Sequence, residues 1–434
     1  MRARRMRVLL AAMPFSGHVT PFRAVAAELL GRGHDVRIYT GGAFLPGFEA
    51  LGVRPVPWRE APDFDENDLT ATFPALRDRR GPLQVLANIE HLFLRTGAGQ
   101  HADLLAAWRE EPWDVLLGDG LSTGAVLAAE STESPWATLS LVPLSVPSQD
   151  LPPAGLRLRP HRGPVGAARD AALRLLAEAA SAPLQRAYQE TRAAVGLPPS
   201  RKRFHSAWLS PQRTLALGSA SLDYGRSDPP PGLAYVGAIP ATADAPLPDW
   251  WEEVTRTDRP VVYVTQGTQN IDPMDLIRPA LLALSTRDVV VVASTGVRGR
   301  TRLPFPVPAN AHVVDVVPQD RLIPHVSVMI TNGGWGGVLG ALSAGVPLVV
   351  AGGDLDKPDI AARVAHSGAG IDVRTGRPTP RRILDAYDRI ARSPSYRAAA
   401  KRIGAELRDL GGVVRIADEV ERLGEPGAAA QPAG

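Results

Sequence analysis

The sequence predicts an α/β protein made of two doubly wound parallel-sheet domains. Short Val-, Leu- and Ile-rich runs alternate with longer helical patterns, the order that produces parallel strands covered by helices on both faces. That alternation occurs twice, and a stretch rich in proline and small residues separates the two copies. At 434 residues the chain is long enough for two or three separate cores.

The first copy opens with "MRARRMRVLLAAMPFSGHV". Basic residues before an apolar run are the pattern of a signal peptide. Here the run is short, breaks at Pro14 and lacks a small-residue cleavage site, so it reads as a first strand, Val8–Met13. A helix comes next, with Thr20 as N-cap, Pro21 at the first helical position, apolar spacing through Leu30 and Gly33 as its stop. Further strands are expected at Asp35–Thr40, Val53–Pro57, Asp114–Gly118 and Ala137–Leu141. Two stretches, Ala61–Gln84 and Val142–Gly166, break the alternation. Rich in Pro and Arg yet carrying large apolar residues, they read equally as walls of an apolar binding site or as surface loops.

The separating stretch, "SDPPPGLAYVGAIPATADAPLPDW", reads as a linker wrapped around one short strand, Ala234–Val236. In the second copy the strands are expected at Val261–Thr265, Val289–Ala293, His312–Val316, Val328–Thr331 and Leu348–Ala351. The resulting boundaries are 1–225 for the first domain, 226–259 for the linker, 260–423 for the second domain, and 424–434 for a disordered tail with nothing to bury.

Composition narrows the partners. A formal charge of only +3, with basic residues dispersed, leaves no nucleic-acid footprint and no polybasic membrane anchor. The absence of cysteine excludes disulfides, thiolate metal sites and cysteine nucleophiles. With no apolar stretch long enough to span a bilayer, the expectation is a soluble cytoplasmic protein.

The strand Val328–Thr331 runs into "NGGWGG" and then a helix expected over Val338–Ala344, which stops at Gly345 before Pro347. Glycines at the carboxyl end of a parallel strand let a ligand approach the backbone closely, and the next helix offers unpaired N–H groups with a partial positive charge. Two readings stand at this point: tight strand–helix packing, or a site for an anion such as phosphate. The P-loop spacing is absent, as is G-x-G-x-x-G with a ribose-binding acid, so a magnesium-dependent NTPase is disfavoured.

The surrounding residues decide between them. "VPQDRLIPHVSVMITNGGWGGVLGALSAGVPLVVAGGDLDKPDIAARVAHSGAGIDV" resembles the donor-site signature of the family 1, nucleotide-sugar-dependent glycosyltransferases of the GT-B fold, of the bacterial macrolide and polyketide type. In the first half the resemblance continues through "AAMPFSGHVTP", "RGHDVRIYT" and "WDVLLGDG", so it covers most of the chain. It implies two Rossmann-like domains facing across a cleft, with acceptor bound by the first and donor by the second.

The resemblance also implies roles. Val317 and Gln319 meet the base and ribose; Asn332, Gly334, Trp335, Gly336 and Gly337 form the donor-binding turn around the diphosphate; and Asp356 with Lys357 faces the sugar hydroxyls. Gly267 and Thr268, in "VTQGTQN", lie beside the phosphates. Three positions depart from the family pattern. Asn332 stands where histidine is usual and gives up any positive charge, Gly337 replaces a hydroxyl residue, and Lys357 replaces a glutamine, which points away from a glucose donor.

His18 comes after the first strand and faces the cleft in this pattern, where a helix N-terminus disfavours its imidazolium and keeps it neutral as a general base requires. Asp119, at the end of strand Asp114–Gly118, is its matching partner, able to fix the tautomer and stabilise the imidazolium. From position alone, Asp119 also reads as a cap on the helix beginning near Ser122. Phe15, Ser16, His91 and Leu144 are the candidate acceptor contacts. His34 reads as a turn or cap residue, His101 as a core or surface residue, and Arg298, Arg300 and Arg302 as a solvated loop face.

The implied reaction is inverting transfer of a sugar, expected to be a deoxysugar, from a TDP- or UDP-sugar to a lipophilic natural-product acceptor. No cofactor or metal is expected, since Asp354 and Asp356 match the sugar-contacting segment of a metal-independent family. The chain is expected to work as a monomer or homodimer. Two alternatives remain at this stage, a nucleotide-sugar epimerase of the same architecture and a non-catalytic helper protein.

Overall fold

The computed structural model describes residues 4–79, 81–160, 163–239, 245–267 and 272–425. Among them the first sheet comprises β1 (Arg7–Ala11), β2 (Asp35–Thr40), β3 (Arg54–Pro57), β4 (Val115–Asp119), β5 (Trp136–Ser140), β6 (Arg213–Ala216) and β7 (Leu233–Tyr235). They lie in the order β3, β2, β1, β4, β5, β6, β7. The second sheet comprises β8 (Val261–Thr265), β9 (Val290–Ser294), β10 (Ala311–Val314), β11 (Val326–Thr331), β12 (Leu348–Val350) and β13 (Gly370–Asp372), in the order β10, β9, β8, β11, β12, β13. All neighbouring strands are parallel. Every residue of β4, β5, β8 and β9 is buried, which is why these strands read as continuous apolar runs rather than alternating ones.

Strand order reverses between β1 and β4 in the first sheet and between β8 and β11 in the second. Crossovers leave in opposite directions at such a point, opening a crevice at the carboxyl ends of the two strands. Register keeps those ends level: Ala11 pairs with Gly118, and Thr331 with Thr265. Each crevice is therefore built by two loops emerging side by side.

Several elements differ from expectation. The first helix spans Ser16–Gly31 with Phe15 as N-cap, so Thr20 and Pro21 lie inside it and His18 occupies its first turn. The chain turns into helix directly after Pro14, with His18 N–H and Val19 N–H both donating to Phe15 O. The helix after the Gly-rich turn likewise starts earlier, at Trp335, and runs to Ser343; Gly345 takes the expected left-handed conformation at φ +72°. The short strand placed in the linker is β7, the edge of the first sheet, where flanking prolines cost no ladder hydrogen bond. The strands β6 and β13 were not anticipated. Ala61–Gln84 holds two short helical turns, Leu69–Thr72 and Pro74–Leu76, before a helix begins at Gly81.

A last helix, Gly412–Gly424, returns to the first domain. Its Ile416, Val420 and Leu423 share one core with Val8 and Leu10 of β1. His34 bridges the Met6 amide at 3.3 Å and Glu421 at 2.8 Å, and Arg32 pairs with Asp418 at 2.7 Å. The turn residue His34 is thus a tie between the chain's two ends. Among the described residues no helix is long and apolar enough to cross a membrane. Residues 426–434 of the expected tail lie outside the described residues.

Candidate active site

The crevice of the first sheet brings His18 and Asp119 together. His18 Nδ1 lies 2.7 Å from Asp119 Oδ2. The carboxylate is set by its own loop: Oδ2 also accepts from Met13 N–H at 3.1 Å and Oδ1 from Leu121 N–H at 3.0 Å. Asp119 therefore stitches the ends of β1 and β4 while orienting the ring. Capping of the next helix falls instead to Ser122, whose side chain accepts from Ala125 N–H. With Nδ1–H committed to the carboxylate, Nε2 is the ring atom left as proton acceptor.

The helix terminus is not the main influence on His18. Burial by itself lowers the His18 pKa, but the Asp119 carboxylate, through charge and hydrogen bond, raises it above the ordinary 6.5, helped by Asp356 and Glu66. A helix terminus contributes only a partial charge, whereas Asp119 places a full one in direct contact. The carboxylate wins.

Aromatic rings crowd the same corner. Phe15 lies 5.6 Å from the His18 ring, 5.2 Å from Phe64 and 6.2 Å from Phe93. Phe15 and Phe93 are only partly buried, so the cluster offers apolar surface near the His18 ring. Ser16 donates to Glu66 Oε2 through its N–H at 3.0 Å and its hydroxyl at 3.2 Å, tying the irregular 61–84 stretch to the first helix. His91 sits with Phe93 on a π-helical turn, Ile89–Leu94. Phe64, Phe93 and Glu66 were missed by sequence reasoning; the apolar character of Ala61–Gln84 was a signal for Phe64 alone, and Phe93 lies beyond that stretch. Leu144 belongs elsewhere: it is buried at the domain junction, its carbonyl accepting from Arg226 at 3.0 Å and Arg363 at 3.2 Å. His101 bonds Ser131, and Arg298, Arg300 and Arg302 are exposed.

The second crevice holds the Gly-rich elbow. Gly334 is the N-cap of the helix Trp335–Ser343, and the amides of Trp335, Gly336 and Gly337 have no acceptor among the described residues. A Cβ on Gly336 would meet nothing within 4 Å, so the backbone there is open to a ligand. Gly333 is different. Its φ is +95° and a Cβ would fall 2.9 Å from Val350 Cγ1. Gly333→Ala is expected to destabilise the fold by about 1–3 kcal/mol, read as a lowered unfolding midpoint, because it combines left-handed backbone with that clash.

Two donor-site residues are placed differently from expectation. Trp335 turns into the domain junction: its indole N–H donates to Leu217 O at 3.1 Å and its ring covers Gly218, so it rivets the domains rather than lining the elbow. Asn332 spends its amide inside the elbow, donating to Gln266 O and accepting from Gly334 N–H at 3.3 Å. That leaves the elbow lined by backbone amides. Gly267, at φ +71°, lies against the Asn332 side chain, and Thr268 falls outside the described residues. Gln319 opens a short helix with its amide donating to Tyr263 Oη at 3.2 Å, and Val317 is buried just before it.

Asp356 and Lys357 start the helix Lys357–Ser367. Lys357 is buried and its Nζ lies 2.8 Å from the exposed Asp354. Burial holds the Asp356 carboxyl above the usual carboxylate range, opposed by the charges of Lys357 and His18. Asp356 and His18, one from each domain, each shift the other's titration.

Residues 280–421 match the model described as "Erythromycin biosynthesis protein CIII-like, C-terminal domain". The chain is 39% identical over 423 residues to 4'-demethylrebeccamycin synthase of Lentzea aerocolonigenes, covering 96% of this chain and 99% of that one. It belongs to the natural-product glycosyltransferases of the GT-B fold. A 31% identical relative, UDP-glycosyltransferase 2 of Phaeomoniella chlamydospora, covers 96% of this chain and is itself 95% covered. The solved structure of the calicheamicin glycosyltransferase CalG4 has TM-score 0.72 at 21% identity, covering 99% and 100% of the two chains. Glycosyltransferase VinC in complex with dTDP has TM-score 0.70 at 23% identity, covering 97% and 100%. The matched C-terminal region of this glycosyltransferase contains both the elbow and the Asp356–Lys357 helix start.

Proposed function

We propose that this glycosyltransferase moves a sugar from a TDP- or UDP-sugar to a lipophilic natural-product acceptor with inversion at the anomeric carbon, using His18 as general base. The observation that carries this reading is the 2.7 Å His18–Asp119 contact, which leaves Nε2 for an acceptor proton. The acceptor hydroxyl or N–H gives that proton to Nε2 as its heavy atom bonds to the anomeric carbon. The bond from that carbon to the diphosphate oxygen breaks, and the nucleoside diphosphate leaves on the opposite face. Amides of Trp335, Gly336 and Gly337 at a helix N-terminus suit the charge developing on the leaving group.

Backbone amides then carry the stabilisation that a metal supplies elsewhere, so the reaction is proposed to need no metal or cofactor. Phe15, Phe64 and Phe93 beside His18 suit a polyketide, macrolide or aromatic aglycone. Lys357, held by Asp354, favours a sugar decorated differently from glucose, such as a deoxysugar. Relatives named as UDP-glycosyltransferases and a neighbour solved with dTDP keep both nucleotides in view.

The test is nucleoside diphosphate release across a panel of TDP- and UDP-sugars and lipophilic acceptors, with EDTA present, and NMR of the product's anomeric centre. Acceptor-dependent release that survives chelation, with inverted configuration, is expected. Donor isomerisation without acceptor, or a retained configuration, sinks the mechanism.

A further inference from the structure

The irregular stretch after β5, over residues 141–160, crosses from the first domain to the second. Its root is held on the first-domain side: Arg226, at the start of the linker, donates to Val146 O at 2.9 Å and Leu144 O at 3.0 Å, and Arg174 of the first domain to Leu151 O at 2.9 Å. Asp228 accepts from Ser148 Oγ at 2.5 Å and Gln149 N–H at 2.9 Å. Its tip grips the second domain. Asp359 accepts from Gly155 N–H at 2.5 Å and Arg157 N–H at 3.1 Å, while the Arg157 guanidinium forks onto both oxygens of Asp372, with Nε to Oδ2 at 2.9 Å. Arg157 holds a left-handed backbone, φ +55°, a conformation that a non-glycine residue keeps only when its contacts enforce it.

Both anchors lead back to the loop that carries Asp356 and Lys357. Asp359 lies in the first turn of the helix those residues start. Arg363, one turn further along, donates to Leu144 O at 3.2 Å and stacks over Tyr224 at 5.0 Å, so one face of this helix is held by the acceptor domain. Asp372 also accepts from Arg374 N–H at 2.7 Å, and Gly376 just beyond packs so tightly on Gly353 that a Cβ on Gly353 would lie 2.9 Å from the Gly376 Cα.

We infer that Arg157 is a positioning residue for the donor sugar: its bidentate pair with Asp372, together with the Asp359 clamp, seats the Gly352–Lys357 loop from both ends and couples it to the acceptor domain. This rests on the reading of Asp356 and Lys357 as sugar contacts. A bidentate pair with side chains only 18% and 11% exposed fixes geometry as well as charge, which a lysine at the same place does not reproduce. Misplacing a binding group by about 1 Å is costly, and here the cost falls on the sugar rather than on the nucleotide.

The test uses the full chain with Arg157→Ala, Arg157→Lys and Asp372→Asn, and Asp356→Asn alongside. Donor KM, affinity for TDP or UDP alone, and unfolding midpoint are measured for each. Arg157→Ala is expected to raise the donor KM about 10-fold while nucleotide affinity stays near wild type. Arg157→Lys recovers only part of the loss. Asp372→Asn, removing the same pair from its other side, gives a similar rise and adds little to Arg157→Ala. An unchanged donor KM in Arg157→Ala, or equal weakening of nucleotide and nucleotide sugar, overturns the inference. If Asp356→Asn raises the donor KM while Arg157→Ala does not, only the positioning role falls. If Asp356→Asn leaves it unchanged, the sugar-site reading fails and takes the inference with it.

Discussion

Alanine at His18 is expected to cut turnover by about 10²–10⁴ while leaving TDP or UDP affinity nearly intact. The proposed base and the proposed nucleotide site belong to different sheets, His18 after β1 and the elbow after β11, so truncating His18 leaves the elbow's backbone amides in place. Loss of the ring removes the acceptor for the hydroxyl proton but not the Phe15 cluster, so the acceptor KM changes less than kcat. Asp119, whose side chain is 1% exposed, keeps its bonds from Met13 and Leu121 and loses only the ring. The variant therefore folds, with a modest fall in melting temperature from a less compensated buried carboxylate. A stopped-time assay of nucleotide release with titration of TDP and UDP separates the two effects. Turnover within a few-fold of wild type, or matching loss of nucleotide affinity, removes His18 from its assigned role.

The two crevices were legible in the sequence because chemistry there sits at strand ends. Val8–Met13 and Asp114–Gly118 are apolar runs, and parallel topology fixes His18 and Asp119, which come after them, to the carboxyl edge of the sheet. The elbow was legible for the same reason. Domain docking was not. Trp335 stands among glycines that suit a ligand turn, yet its partner, Leu217 O, lies more than a hundred residues away. Periodicity carries no record of such a contact. Leu144 misled in the same way, as an apolar residue in an irregular stretch that turned out to face Arg226 and Arg363.

Short strands were the other loss. β13 is three residues with Asp372 at its end, and β6 begins with Arg213; neither gives an apolar run long enough to stand out. β7 was expected as a strand, Ala234–Val236, but its prolines assigned it to a linker rather than to the sheet edge, where they are tolerated. Pro21 misplaced the helix start because proline marks a first turn by preference rather than by rule, and here it lies inside the helix. That one-turn error hid the fact that His18 is helical, and so is held by backbone as well as by Asp119.

Asp119→Asn is expected to lower kcat by about 10²–10⁴ and, distinctively, to shift the pH dependence downward. A general base acts in its neutral form, so with His18 in the proposed role wild-type turnover rises with pH through the His18 pKa, which Asp119 holds above 6.5. Asparagine removes that charge, leaving burial as the dominant influence, and burial disfavours the imidazolium. The midpoint therefore moves to lower pH even as the plateau falls. The plateau falls because Oδ2 receives both His18 Nδ1 and Met13 N–H. An amide nitrogen in that position donates to Nδ1 and drives the proton to Nε2, the atom that must accept from the acceptor hydroxyl. If the amide flips instead, its nitrogen faces Leu121 N–H, and the β4 loop loses its tie. Either orientation costs activity, and only the charge loss moves the midpoint. A pH profile of kcat/KM for the acceptor, with nucleotide affinity measured in parallel, reads both. A reduced rate with an unmoved midpoint means that Asp119 acts only as scaffold for the two loops, and that some group other than the His18–Asp119 pair sets the wild-type limb.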